Sequence, residues 1–188
     1  MTGDVDESLF SFRPAAGAQR FKSMEDYKRI KAEEKRAHPL LDQEAPKLEL
    51  VSIHGDRFAL QSMRGKTVVL EFWSTYCNAC LQQIPHVDAA IRDANVDAIA
   101  FGVNSGENPA MVRGFTSELD WSLTLVGDAD SRLTKAFDVA TLPMTVVIDP
   151  KGTVRQIIKS GLAPEQFQER LTEAIVEAGD AELVAAKP

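Results

Sequence analysis

Two patterns divide this chain. Ahead of Ala45 charge dominates: between Arg20 and Arg36 nearly every second position is charged, and Met24, Tyr27 and Ile30 leave only a narrow apolar stripe. Ser23 is placed to cap a helix and His38-Pro39 to stop one, which predicts a short exposed helix at 24–37. From Ala45 the apolar positions come in short blocks separated by turn residues, as in a compact α/β domain. Leu48–Ile53 and Arg57–Leu60 flank His54-Gly55-Asp56, a hairpin signal. Thr67–Trp73 is a continuous β-branched and aromatic run, expected of a central strand covered on both faces.

A helix is predicted from Asn78 to Asn95, with Leu81, Ile84, Val87, Ala90 and Ile91 on one side and Pro85 kinking it. Asp97–Val103 is a second buried strand, and Asn108-Pro109 opens a helix running to Leu119. Ser122–Val126 is extended, Asp130–Phe137 a short helix, and Met144–Ile148 and Thr153–Lys159 two strands joined by Asp149-Pro150-Lys151-Gly152. Pro164 opens a last helix with Phe167, Leu171, Ala174, Ile175 and Ala178 inward, ending at Gly179. The expected organisation is a charged N-terminal extension over 1–44, a folded domain over 45–179 and a loose tail over 180–188. The extension is read as a solvated lead-in, with a docking arm as the alternative.

The chemistry lies at the end of the first long strand, where Cys77-Asn78-Ala79-Cys80 holds the only two cysteines. Ligand and catalytic groups of open α/β sheets gather at such carboxyl ends. A helix turns once in about 3.6 residues, so cysteines three apart at its start lie on one face within bridging range. Cys77 stands where free backbone N–H groups favour a thiolate and is the expected nucleophile; Cys80, one turn in, is the expected resolving thiol. A base must then deprotonate Cys80. Glu71, a carboxylate in an otherwise apolar strand, is the candidate, since burial raises its pKa toward neutrality. Its alternative is an outward-facing position at a sheet edge.

Two inert buried thiols are the plain alternative for the cysteines. Zinc needs about four ligands, and beyond the pair only the scattered His38, His54 and His86 remain. A cysteine hydrolase requires a histidine partner and has no use for a second thiol.

Composition adds mostly exclusions. A chain of 188 residues that is 44% hydrophobic can bury a proper core, and a net charge of −7 gives no general attraction to nucleic acid or anionic membrane. No stretch approaches the ~18–20 apolar residues of a membrane span. The N-terminus, Met1-Thr2-Gly3-Asp4-Val5-Asp6-Glu7, lacks the features of a signal peptide. The chain as written is therefore expected in the cytoplasm; a periplasmic or other extracytoplasmic site applies if it is a mature or truncated form.

Over about Ala45 to Gly179 the chain resembles the thioredoxin superfamily and, within it, the TlpA/ResA-like thiol–disulfide oxidoreductases. Phe72-Trp73-Ser74-Thr75-Tyr76-Cys77-Asn78-Ala79-Cys80 is similar to the family's active-site signature, with Tyr76 where tryptophan is more usual. Pro85 matches the proline that kinks the active-site helix, and Thr141-Leu142-Pro143-Met144 resembles the cis-proline hallmark before a strand. The segment from Asn108 to Val126 resembles the insertion that sets the family apart from plain thioredoxin.

The resemblance implies a central mixed sheet with helices on both faces. It also implies a cis Leu142–Pro143 loop packed against the cysteines, excluding metal and pairing with the substrate strand. Two departures stand out. Gln83 occupies the position of a functional glutamate in many relatives, and Glu71 occupies the position of a buried aspartate in plain thioredoxins.

The expected function is thiol–disulfide exchange with protein disulfide or dithiol substrates, as a reductant. Cys77, Cys80 and Glu71 are catalytic, Trp73 and Tyr76 form the rim, and Leu142 and Pro143 hold the substrate. A partner dithiol reductase recycles the pair, and neither an organic cofactor nor a metal is required. The rivals are a thiol peroxidase, whose peroxiredoxin signature has a proline where Leu70 stands; a non-catalytic adaptor; and copper delivery, which uses wider cysteine spacing.

Overall fold

Every residue of the strand β3, Thr67–Trp73, is buried, so it has no polar face to offer to solvent and must lie between two layers. The computed structural model, which describes residues 38–159 and 161–185, places it at the middle of the fold. Ahead of it, β1 (Glu49–Val51) and β2 (Arg57–Ala59) form a separate antiparallel hairpin, turned by Gly55 at φ +99°. After it come α1 (Asn78–Ala94), β4 (Ala98–Ser105), α2 (Pro109–Thr116), β5 (Thr124–Asp128) and α3 (Arg132–Ala136). The chain finishes with β6 (Met144–Ile148), β7 (Val154–Lys159) and α4 (Pro164–Ala185).

The five long strands lie in the order β5-β4-β3-β6-β7. Helical crossovers make β3, β4 and β5 parallel, whereas the Asp149–Gly152 turn makes β7 antiparallel to β6, and β6 is antiparallel to β3. The sheet is thus mixed, as the resemblance implied.

Alternate residues of β3 feed two cores. Val69 and Trp73 pack with Ile84 and Val87 of α1 and with Phe167, Leu171 and Ala174 of α4. Val68, Leu70 and Phe72 face the opposite layer, with Leu50, Leu133 and Phe137. Phe72 and Phe137 meet there with ring centroids 5.6 Å apart, tilted by 50°.

Local chemistry sets the helix ends. Asn108 Oδ1 accepts from the Ala110 amide at 2.8 Å and Pro109 takes the first turn of α2. Asn95, left-handed at φ 50°, closes α1.

Several expected boundaries move. α2 stops at Thr116 rather than Leu119; the Thr116 and Ser117 hydroxyls there bond back to the Val112 and Gly114 carbonyls, each at 2.9 Å. β2 stops at Ala59, and Leu60–Met63 tightens into a 3-10 turn. Gly179 does not end α4, which continues to Ala185; a Cβ on Gly179 would lie 3.4 Å from Val96, so the glycine serves close packing rather than termination.

Residues ahead of Ala45 already contribute to the fold. The Asp42 amide bonds the Val154 carbonyl, the Ala45 amide bonds the Gly152 carbonyl, each at 2.8 Å, and Glu44 bridges Thr153. The helix expected at 24–37 lies outside the described residues. Among the described residues no helix is long and apolar enough to cross a membrane.

The core on the α4 side is expected to carry much of the stability. Leu171 is fully buried, so Leu171→Ala is expected to cost about 2–5 kcal/mol. In urea unfolding this appears as a lower midpoint at an unchanged slope.

Candidate active site

The cysteine pair sits where β3 hands over to α1. After Trp73 the chain makes a turn closed by the Cys77 amide on the Ser74 carbonyl at 3.1 Å, and Cys77 becomes the N-cap of the helix. The two sulfurs form a disulfide of 2.03 Å across a Cα–Cα distance of 5.2 Å. They are unequal: Cys80 has no exposed surface, whereas Cys77 is half-buried. The Cys77 sulfur also accepts the Cys80 backbone N–H at 3.2 Å. It therefore occupies the place of a capping oxygen and faces the positive end of the helix, which stabilises a thiolate once the bond is reduced.

Glu71 lies in the interior with no exposed surface, not at a sheet edge. Its face of β3 is the one covered by α1. Thr145, its register partner on β6, donates a 2.5 Å hydrogen bond to Oε2, and the Gln83 amide donates to Oε1 at 3.0 Å. Burial raises the carboxyl from 4.5 to about 7, and the two hydrogen bonds offset only part of that rise. Gln83 lies one turn beyond Cys80 on the same helix. The two positions weighed for an acid are therefore in direct contact, one holding the carboxyl and the other its donor.

The Leu142–Pro143 bond is cis, with Pro143 buried and Leu142 half-buried at the start of β6. Pro143 shares a cavity of about 60 Å³ with Ala79, Gln82 and Gln83 of α1 and with Leu162. The proline loop and the first turns of the cysteine helix thus border the same space.

The rim residues separate. Tyr76 is 80% exposed, but Trp73, expected beside it, is fully buried. It points to the α1 face, where it meets Trp121 edge-on at 5.2 Å. Gly102 on β4 leaves the space: a Cβ there would lie 3.3 Å from Trp73 Nε1 and 2.9 Å from Leu123 and Leu125. Trp73 is a core residue and cannot form part of the rim.

Three polar residues near the pair escaped the sequence reading. Thr145 pairs with Glu71 only through strand register, which leaves no local signal. Asn104 and Glu107 had a weak one, a polar end to an apolar strand followed by a carboxylate; both are buried in the structure. Among the described residues no group of three or more His, Cys, Asp or Glu is placed to hold a metal.

Comparison with known proteins agrees with this geometry. A sequence model of the AhpC/TSA family matches residues 41–157. The thiol-disulfide oxidoreductase ResA of Geobacillus kaustophilus is 31% identical over 130 residues, covering 68% of this chain and 74% of that protein. ResA of Bacillus thuringiensis is 28% identical over 134 residues, covering 70% and 76%. Among solved structures, a thiol:disulfide interchange protein of Chlorobium tepidum superposes with a TM-score of 0.60 at 22% identity, covering 71% of this chain and 95% of that one. A secreted Mycobacterium tuberculosis disulfide oxidoreductase gives 0.58 at 21%, covering 68% and 96%. These two structures establish the fold. The family match and the ResA relatives go further: the chain belongs to the AhpC/TSA family and is a ResA-like thiol–disulfide oxidoreductase of the thioredoxin superfamily.

Proposed function

We propose that this enzyme reduces protein disulfides, with Cys77 as attacking thiolate, Cys80 as resolving thiol and Glu71 as the proton acceptor for Cys80. The observation that carries the reading is the inequality of the pair: one sulfur at the helix amides and partly exposed, the other fully buried and one turn from the amide that holds Glu71. In the first step the Cys77 thiolate attacks one sulfur of a substrate disulfide, forming a mixed disulfide and releasing the other substrate sulfur as a thiolate. Cys80 then gives its proton to Glu71 and attacks the Cys77 sulfur. The Cys77–Cys80 bond forms, the mixed disulfide breaks, and the second substrate thiolate leaves.

Two electrons have passed from the enzyme to the substrate, and a separate dithiol protein must return them. Leu142, ahead of cis-Pro143, offers its backbone to an extended substrate segment, and Tyr76 forms the exposed side of the entrance. A peroxidase reading finds less support, because Leu70 occupies the position of the peroxiredoxin proline. It lies fully buried in mid-strand between β4 and β6, where a proline would remove a ladder hydrogen bond.

The division of labour is tested by trapping. Cys80→Ser is expected to accumulate covalent adducts with a reducible protein disulfide such as insulin, released by dithiothreitol, while Cys77→Ser accumulates none; the opposite pattern reverses the assignment. A peroxide-consumption assay on the wild type, expected to show no turnover, separates the peroxidase.

Glu71→Gln is expected to slow the resolving step by at least about tenfold and to remove a rise in its rate through pH 7, measured by stopped-flow decay of a preformed mixed disulfide. Unchanged kinetics would assign Glu71 to structure alone. The same group sets a stability trend. Its folded pKa, about 7, lies above the ordinary 4.5, so the folded protein binds more protons than the unfolded chain between these values. Stability is then highest below pH 4.5 on this account and falls as pH rises through 7, by roughly 3 kcal/mol. Urea unfolding of the oxidised protein at pH 5 and pH 8 should show this fall, and Glu71→Gln should flatten it.

A further inference from the structure

A second carboxylate, buried like Glu71, holds the turn that leads to Cys77. Glu107, 8% exposed, lies in the link between β4 and α2. Its carboxylate accepts from the Thr75 backbone N–H at 2.7 Å, the Thr75 hydroxyl at 2.5 Å and the Asn104 amide at 2.6 Å. Three donors converge on one anion, an arrangement that makes strong and directional bonds.

Register brings them together. Asn104 stands opposite Trp73 in the parallel β3–β4 pair, so the two strands release their loops side by side. Asn104 is fully buried, and its Oδ1 has no hydrogen-bond partner. Its amide nitrogen is turned toward Glu107.

The segment gripped is the one that presents Cys77. Ser74–Cys77 is a four-residue turn closed between its first carbonyl and its last amide. The amide of the second residue, Thr75, is free within such a turn, and Glu107 takes it.

We propose that Glu107 is a positioning residue for the redox centre: by holding Thr75 it fixes the Ser74–Cys77 turn and keeps the Cys77 sulfur at the amide end of α1. The inference rests on the reading of Cys77 as the attacking thiol. Glu107 acts through Thr75, so its removal changes where the sulfur sits rather than what the sulfur does.

The test is alkylation of the reduced full-length protein by iodoacetamide as a function of pH, with peptide mapping to assign the cysteine. In the wild type Cys77 is modified first. In Glu107→Ala the midpoint of the Cys77 profile is expected to rise by roughly half a pH unit, and the rate below that midpoint to fall about threefold, as the sulfur loses its place on the helix amides. Glu107→Gln keeps an oxygen for the Thr75 amide and should return the profile close to that of the wild type.

Loss of a nearby negative charge alone would instead lower the midpoint in both variants, and that result overturns the proposal. So does an unchanged profile in Glu107→Ala. If Glu107→Ala does not fold, Thr75→Val removes the hydroxyl bond and leaves the backbone one, and a smaller rise in the same direction is expected; an unchanged profile there then overturns the proposal. Modification of Cys80 ahead of Cys77 in the wild type would instead overturn the reading of the pair on which the inference stands, whatever the variants do.

Discussion

A strand with no face for solvent constrains everything around it. β3 is buried along its whole length, so its backbone must be paired on both sides and its side chains covered from both layers. Helices α1 and α4 supply one cover; the other comes from Leu133, Phe137 and the β1–β2 hairpin. The same condition means that β3 can end only by leaving the core, and it leaves directly into the turn that carries Cys77. Any polar side chain placed within β3 inherits a dry environment. Glu71 is the ionisable side chain there, and its raised pKa follows from the strand it occupies.

The redox centre therefore draws on two opposite electrostatic settings a few residues apart. At Cys77 the unpaired amides of a helix start favour negative charge. At Glu71 the loss of water disfavours it. The division of roles proposed for Cys77 and Glu71 calls for opposite settings, and one strand-to-helix junction provides both. Cys80 is buried one helical turn from Gln83, the donor to Glu71, and its backbone amide also serves its partner's sulfur.

What was legible in the sequence followed from physics that acts locally. Thr67–Trp73 could be delimited because β-branched and aromatic residues run through it with Glu71 as the one charged interruption, and α1 because a periodic face and Asn95 agree. Glycine misled at 179, where its small size serves a packed helix and not a helix end. Trp73 misled because an aromatic residue beside an active-site motif looks like a rim residue; only Gly102, a neighbour in space but not in sequence, shows that there is room for it inside. Thr145, Asn104 and Glu107 became visible through strand register, which pairs residues distant along the chain and leaves little trace in the local pattern.

The Thr145 bond to Glu71 carries one more consequence. A hydroxyl is both donor and acceptor, and its hydrogen can rotate without moving any heavier atom. Beside an ionised Glu71 it donates; beside a protonated one it can turn and receive. The Gln83 amide nitrogen has no such freedom, because it only donates. The two neighbours thus divide the work, one anchoring the carboxyl in a constant orientation and the other accommodating its change of state. A change in the charge of Glu71 then asks its hydrogen-bond shell for no more than the reorientation of a single O–H.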